Sequence, residues 1–217
     1  SYEFADDWYV GPQFVSTNYA IGVDGLSDGE LEQIGLTGFD SNGLGLAVEN
    51  DTRDNPRNAS RGRRLMLHNV AYREWLGGDE EFDAVMGDYR QFLSFGDGHV
   101  LALQVKGRWT QDAPLGGYSS VQLRGYTRGN YLAEHYTHLD LDARFKLRGR
   151  WGATVFAGVG CLYEGVSDCN DSEALYPAGG AGISYLLKPE AGFVVRAEYA
   201  VGKADNSAFY LTLGHPF

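Results

Sequence analysis

One stretch near the middle of the chain alternates strictly between apolar and charged residues. The apolar positions are Leu139, Leu141, Ala143, Phe145 and Leu147, and the charged positions between them are Asp140, Asp142, Arg144, Lys146 and Arg148. Successive side chains of a strand point to opposite faces, so the pattern predicts a strand with one apolar and one charged face. In a soluble sandwich the apolar face would enter a core, whereas in a membrane barrel it would contact lipid and the charges would line the lumen.

The rest of the chain also reads as alternating strands separated by turns. The predicted strands are Trp8–Val23, Asn42–Arg53, Arg63–Leu76, Phe82–Phe95, His99–Trp109, Tyr136–Arg148, Trp151–Cys161, Ala178–Leu187, Gly192–Gly202 and Ser207–Phe217. The 30 glycines and 14 tyrosines fit such a fold, and no segment keeps a helical period of apolar residues. No run approaches the roughly 18 apolar residues of a transmembrane helix.

The connections between these strands alternate in length. Tight turns are predicted at Phe95–His99, Arg148–Trp151 and Leu187–Ala191, and long links at Asp24–Ser41, Thr110–His135 and Leu162–Pro177. Short turns on one side and long loops on the other are typical of outer-membrane barrels, with the turns periplasmic. We therefore predict an all-β fold: a single antiparallel transmembrane β-barrel of about 10 strands over residues 1–217, with both termini periplasmic.

The charge of the chain narrows the list of partners. Eighteen Lys and Arg face 29 Asp and Glu, a net charge of −11, which argues against nucleic-acid binding. Many of the acids fall between the predicted strands, where a solvated anionic loop surface is expected rather than a cation site. No cofactor or metal is expected.

The two cysteines, Cys161 and Cys169, are eight positions apart. A loop of that length closes as a disulfide in an oxidising compartment, and the alternative is two unrelated thiols. A zinc site needs three or four ligands, and no histidine or second cysteine pair lies nearby in sequence. The five histidines are scattered and form no recognisable nucleophile setting, so we expect no catalytic residues and no enzyme activity.

Three segments, in order, carry a resemblance to a known family. They are Glu49–Pro56 with Ser60–Gly62, then Leu123-Arg124-Gly125-Tyr126, then Gly180–Ser184 through Arg196–Ala200 with the aromatic-rich end Phe209–Phe217. Together they resemble the BamA/TamA-like outer-membrane assembly-factor superfamily, the bacterial surface-antigen family, over residues 42 to 217. The chain is similar to a short member that lacks the periplasmic POTRA-type domains.

The resemblance implies a Gram-negative outer-membrane barrel whose long extracellular loop folds into the lumen. Arg124, followed by Gly125 and Tyr126, would form the tip of that loop and meet acids on the inner wall. The matching acid is Asp142, with Asp140 on the same face, whereas Gly158 stands where the family usually carries a further aspartate. The resemblance also implies that Phe209, Leu211, Leu213 and Phe217 form the C-terminal signal for membrane insertion.

The expected function follows from the same resemblance. It is insertion or translocation of proteins at the outer membrane, through a weak seam between the first and last strands, where Pro216 cannot donate a ladder hydrogen bond. The expected partners are outer-membrane lipid and lipopolysaccharide, client membrane proteins and a second copy of the chain. A small channel-like or purely structural barrel is the alternative, and a soluble lipocalin-like binder with inward apolar residues is a third.

Overall fold

The structure is a computed structural model and describes residues 1–19 and 39–214. Eleven of its strands form one antiparallel sheet in chain order, and β7 and β8 form a separate two-stranded ribbon. The strands are β1 (Tyr2–Ala5), β2 (Trp8–Tyr19), β3 (Phe39–Asp51), β4 (Gly62–Tyr72), β5 (Phe82–Phe95), β6 (His99–Gln111), β7 (Ser119–Ser120), β8 (Leu132–Ala133), β9 (His135–Lys146), β10 (Trp151–Tyr163), β11 (Leu175–Lys188), β12 (Phe193–Gly202) and β13 (Ser207–Leu213).

The prediction of an all-β fold is confirmed, and each of the ten predicted strands has a counterpart in the sheet. The eleventh, β1, pairs with β2 and was not predicted, because four residues are too short to show an alternating pattern. The predicted strand ends at 20–23 and 215–217, and most of the Asp24–Ser41 link, lie outside the described residues.

Helical structure in the described ranges is limited to short 3-10 turns. They are Glu74–Leu76, Leu115–Gly117, Val166–Asn170, Ser172–Ala174 and Pro189–Ala191. None of these helices is long and apolar enough to cross a membrane.

The alternation seen in the sequence sorts the side chains of the sheet into two faces. In β9, Leu139 and Leu141 are 39% and 40% exposed, whereas Asp140 and Asp142 are 6% and 0% exposed. Other strands follow the same rule, with exposed apolar residues that include Leu44, Leu46, Leu101, Val105, Val155, Ile183, Tyr199, Val201, Phe209 and Leu211. The polarity is thus the reverse of a soluble domain, with charges buried and large apolar side chains outside.

Contacts between distant strands show that the sheet is curved. Arg196 of β12 lies 3.4 Å from Asp142 of β9, although β10 and β11 separate the two strands. Three strand spacings of about 4.8 Å would hold the backbones about 14 Å apart in a flat sheet. The charged face is therefore concave and the apolar face convex. Among the described residues no ladder joins β13 to β1 or β2, so closure into a barrel stays a prediction.

Both ends of the concave face are covered by connecting segments. Residues 112–134, here called the plug loop, link β6 to β9 at one end, and residues 54–61, here called the turn cap, lie between β3 and β4 at the other. Ala59 of the turn cap is buried with Phe92, Val100 and Ala102 of the sheet, and its carbonyl accepts a hydrogen bond from Arg144. The turn cap therefore contributes one buried side chain to the interior.

Candidate functional site

The plug loop is held against the concave face by its own apolar side chains. Val121, Leu123 and Tyr126 are buried together with Tyr136 of β9 and Leu162 of β10. The Tyr136 hydroxyl also accepts a hydrogen bond from the backbone N–H of Gln122 at 3.1 Å. The loop expected from the family resemblance to fold inward does lie on the inner face of the sheet.

The glycine and tyrosine that follow Arg124 fix the tip of the loop. Gly125 has a φ of +97°, and its N–H donates to the Tyr210 hydroxyl of β13 at 2.9 Å. A Cβ at Gly125 would come 3.1 Å from the backbone of Val201, so a larger residue is both strained and crowded there. The sequence Arg-Gly-aromatic is thus explained by a turn that contacts β12 and β13.

Tyr126 ties this tip to two further segments. Its hydroxyl donates to the carbonyl of Pro177 and accepts the backbone N–H of Lys203 at 2.7 Å. Burial raises the pKa of the Tyr126 hydroxyl above its ordinary value, so the group stays protonated and able to donate. The ring also packs edge-on against Tyr131 and Tyr176.

Arg124 lies at the centre of a group of carboxylates. Its Nη2 lies 3.1 Å from Asp140 Oδ2, and its Nη1 lies 3.4 Å from Asp142 Oδ2 and 3.1 Å from Glu198 Oε1. The guanidinium also stacks over the ring of Phe156, 3.5 Å from the ring centroid. One loop side chain therefore joins β9, β10 and β12, which is a role suited to the planar, multidentate arginine head.

Two further arginines complete this network. Arg196 lies 3.4 Å from Asp142 and 2.8 Å from Glu198, and Arg144 lies 3.6 Å from Asp142. Three arginines thus face three carboxylates, all nine-tenths or more buried as side chains. Buried ions are tolerated when they are paired and balanced, and removal of one partner is costly. We call these six residues the charge network.

The sequence predicted part of this network and missed the rest. Asp140 and Asp142 are where alternation placed them, beside Arg124. Glu198 was not assigned to the site, although it provides the third carboxylate. Its only sequence signal is that Arg196 and Glu198 share the polar face of one strand, and nothing local places that strand opposite β9.

The structure explains why Gly158 carries no acid. A Cβ at Gly158 would lie 2.9 Å from Leu123 Cδ2 and 2.9 Å from the carbonyl oxygen of Leu139. The plug loop therefore occupies the space that an aspartate side chain would need. The carboxylate comes from Glu198 on β12 instead.

The other predicted site residues are the two cysteines and the residues of the C-terminal strand. Cys161 and Cys169 form a disulfide with a Cα–Cα distance of 5.8 Å, so the alternative of two unrelated thiols is wrong. Phe209, Leu211 and Leu213 are each about two-thirds exposed on β13, whereas Pro216 and Phe217 lie outside the described residues.

The described ranges, 1–19 and 39–214, contain no group of three His, Cys, Asp or Glu side chains arranged to hold a metal ion. No known family model matches the sequence, and no curated protein is significantly similar to it.

Proposed function

We propose that this protein is an integral outer-membrane β-barrel of the assembly-factor type, which acts in the insertion or translocation of other proteins. The observation that carries the proposal is the reversed polarity of the curved sheet, combined with a plug loop anchored to its inner face by Arg124. The apolar convex face suits lipid and lipopolysaccharide acyl chains, and the termini lie on the periplasmic side.

The lipid-facing role is supported by energetics. Large apolar side chains cover the convex face, whereas the concave face buries ionised groups in a balanced network. In water the exposed apolar surface would favour aggregation, while in a bilayer it is the favourable arrangement. The lipocalin-like alternative requires inward apolar residues and an outward charged face, and so it is not supported by the burial of Asp140 and Asp142.

The activity is supported by the two ends of the sheet. In the described part of the chain, β1 and β13 each pair on one side only. A strand edge offers a row of backbone donors and acceptors to an incoming strand, and in lipid these groups must be satisfied. An edge of this kind lets a client strand add to the sheet, and the client then moves laterally into the membrane.

A pair of arginine substitutions tests the membrane arrangement. Leu141→Arg puts a charge on the convex face, and we expect it to destabilise the protein in lipid vesicles by about 2–4 kcal/mol. The control Val166→Arg lies in the link after β10, where the side chain is 80% exposed, and we expect an effect within about 0.5 kcal/mol. Equal, small effects of the two substitutions, together with solubility without detergent, would refute the membrane proposal.

Insertion activity is tested in liposomes with an unrelated unfolded barrel protein as client. We expect vesicles that carry this protein to fold the client at least about tenfold faster than empty vesicles. A peptide with the sequence of Ser207–Leu213 should compete for the sheet edge, and a scrambled peptide should not. Vesicles that conduct ions without faster folding would identify a small channel, and vesicles that do neither would identify a structural barrel.

A further inference from the structure

A cavity of about 510 Å³ lies between the plug loop and the concave face, next to the charge network. Its wall includes five cations but only two carboxylates: Arg90, Lys106, Arg124, Arg128, Arg196, Asp140 and Glu198. This excess of positive charge is unusual in a chain with a net charge of −11. The cavity is therefore an electropositive space within an acidic protein.

Three of these five cations form ion pairs with carboxylates. Arg124 and Arg196 belong to the charge network, and Arg90 lies 2.7 Å from Asp88. Lys106 and Arg128 form no ion pair with any carboxylate in the described residues. The surplus is thus two positive charges, which matches the charge of a dianion.

Lys106 is held in place with donors to spare. Its Nζ donates to Gln122 Oε1 of the plug loop at 2.6 Å, and an ammonium group has two further hydrogens. On the sheet, Lys106 is directly opposite His138 in the register, so their side chains share the concave face. An anion in the cavity would therefore meet Lys106 and His138 together.

His138 provides a more specific requirement. It is 5% exposed, lines the cavity, and its Nδ1 has no hydrogen-bond partner in the described residues. Gln104 directs its amide nitrogen at both oxygens of Asp88, at 3.0 and 3.1 Å, so its Oε1 is left to accept from His138 Nε2–H at 3.5 Å. Nδ1 of the neutral ring is then an acceptor that needs an O–H or N–H donor.

We propose that this cavity binds a hydrogen phosphate group, with Lys106 and Arg128 on its anionic oxygens and His138 Nδ1 accepting from its hydroxyl. Hydrogen phosphate carries two negative charges and one O–H donor, which are the two properties that the wall requires. Sulfate has the same size and charge but no donor at neutral pH. The source is therefore free phosphate, because a phosphate monoester that carries two negative charges has no P–O–H donor and a phosphodiester carries only one charge.

The test is isothermal titration calorimetry of the purified protein in a phosphate-free detergent buffer at neutral pH. Inorganic phosphate, glycerol 3-phosphate and sulfate are compared at equal ionic strength. We expect phosphate to bind about tenfold more tightly than sulfate, as one additional hydrogen bond provides. Glycerol 3-phosphate has the same charge but no phosphate hydroxyl as the dianion, so its tighter binding than that of phosphate would contradict the proposed contact with His138.

Variants connect the binding to the named side chains. We expect Lys106→Met and Arg128→Gln each to weaken phosphate binding at least about tenfold, and His138→Phe to remove the preference over sulfate. Arg128 is exposed, so its substitution leaves the fold intact, and heat-modifiable gel migration checks the fold of the other variants. Lys203→Met is the control, because Lys203 pairs with Glu173 outside the cavity.

The proposal is overturned if the wild type shows no phosphate binding, if phosphate and sulfate bind equally, or if Lys203→Met weakens binding as much as Lys106→Met. These measurements do not use a client protein. A failure of the insertion assay and a failure of phosphate binding are therefore distinguishable.

Discussion

Removal of Arg124 should leave the charge network with one carboxylate in excess, and the protein should be less stable as a result. Arg124→Met leaves Asp140, Asp142 and Glu198 with only Arg144 and Arg196, and these carboxylates are at most 8% exposed. Loss of one partner from a buried ion pair typically costs about 3–5 kcal/mol, because the remaining charge stays desolvated. We therefore expect Arg124→Met to lower the free energy of unfolding by that amount.

The double variant Arg124→Met/Glu198→Gln restores the balance, with two arginines and two carboxylates. We therefore expect it to be more stable than the sum of the single variants predicts, by about 2 kcal/mol, within the range of coupling for residues in contact. Arg124→Lys should fall between wild type and Arg124→Met, since an ammonium keeps the charge but loses the fork and the stacking on Phe156.

The assay is equilibrium urea unfolding in lipid vesicles, followed by tryptophan fluorescence. The matched control combines Glu198→Gln with Arg148→Met, an exposed arginine that follows β9. This control pair should be additive. Additivity within about 0.5 kcal/mol for Arg124 and Glu198 as well would refute the role of Arg124 in holding the plug loop.

Three further predictions concern other parts of the chain. Replacement of Cys161 and Cys169 by serine should cost about 2.5 kcal/mol, as expected for a loop of this length, and should increase proteolysis between them. Gly158→Ala should displace Leu123 and increase hydrogen exchange in the plug loop, because its Cβ would lie 2.9 Å from both Leu123 Cδ2 and the carbonyl oxygen of Leu139. Burial opposes the ionised form of Asp54, but hydrogen bonds from Ser60 and other groups outweigh it and lower the pKa below 3.8. The turn cap should therefore be fully stabilised above about pH 4 and lose that contribution as the pH falls through the folded-state pKa.

Two of these predictions have a control variant. Gly149→Ala lies in an open turn where a Cβ meets no atom within 4 Å, so its strain is local and the plug loop should exchange as in wild type. At the Ser60 amide, which donates to Asp54, Asp54→Asn should remove the loss of protection from hydrogen exchange that acid causes in the wild type. An unchanged acid transition in that variant, or equal proteolysis with and without the disulfide, would contradict the reasoning.

The sequence predicted best what depends on local geometry. A period of two in β9 is sufficient to place Asp140 and Asp142 on one face, and the strong alternation makes the pairing register unambiguous. It could not predict Glu198 as a partner of Arg124, because two intervening strands and the curvature of the sheet decide that contact. The same limit applies to Gly158, whose missing side chain is explained only by the position of Leu123.

Tight turns can likewise be predicted from the sequence, whereas the packing of irregular links cannot. The short turn at 96–98 follows from its glycines, whereas the position of Ala59 beneath Phe92 depends on tertiary packing. Ala59 lies in the turn cap between the polar residues Asn58 and Ser60. Nothing in its polar sequence indicates that one small apolar side chain is drawn inside.

The turn cap changes how leakage through the proposed barrel is controlled. With the plug loop at one end and the turn cap at the other, an ion crossing the interior meets two barriers in series. If each opens independently at a cost of about 2.8 kcal/mol, each is open about 1% of the time, and both are open together about 0.01% of the time. In the proposed barrel, the turn cap would therefore still restrict ion flow through the interior while the plug loop is displaced.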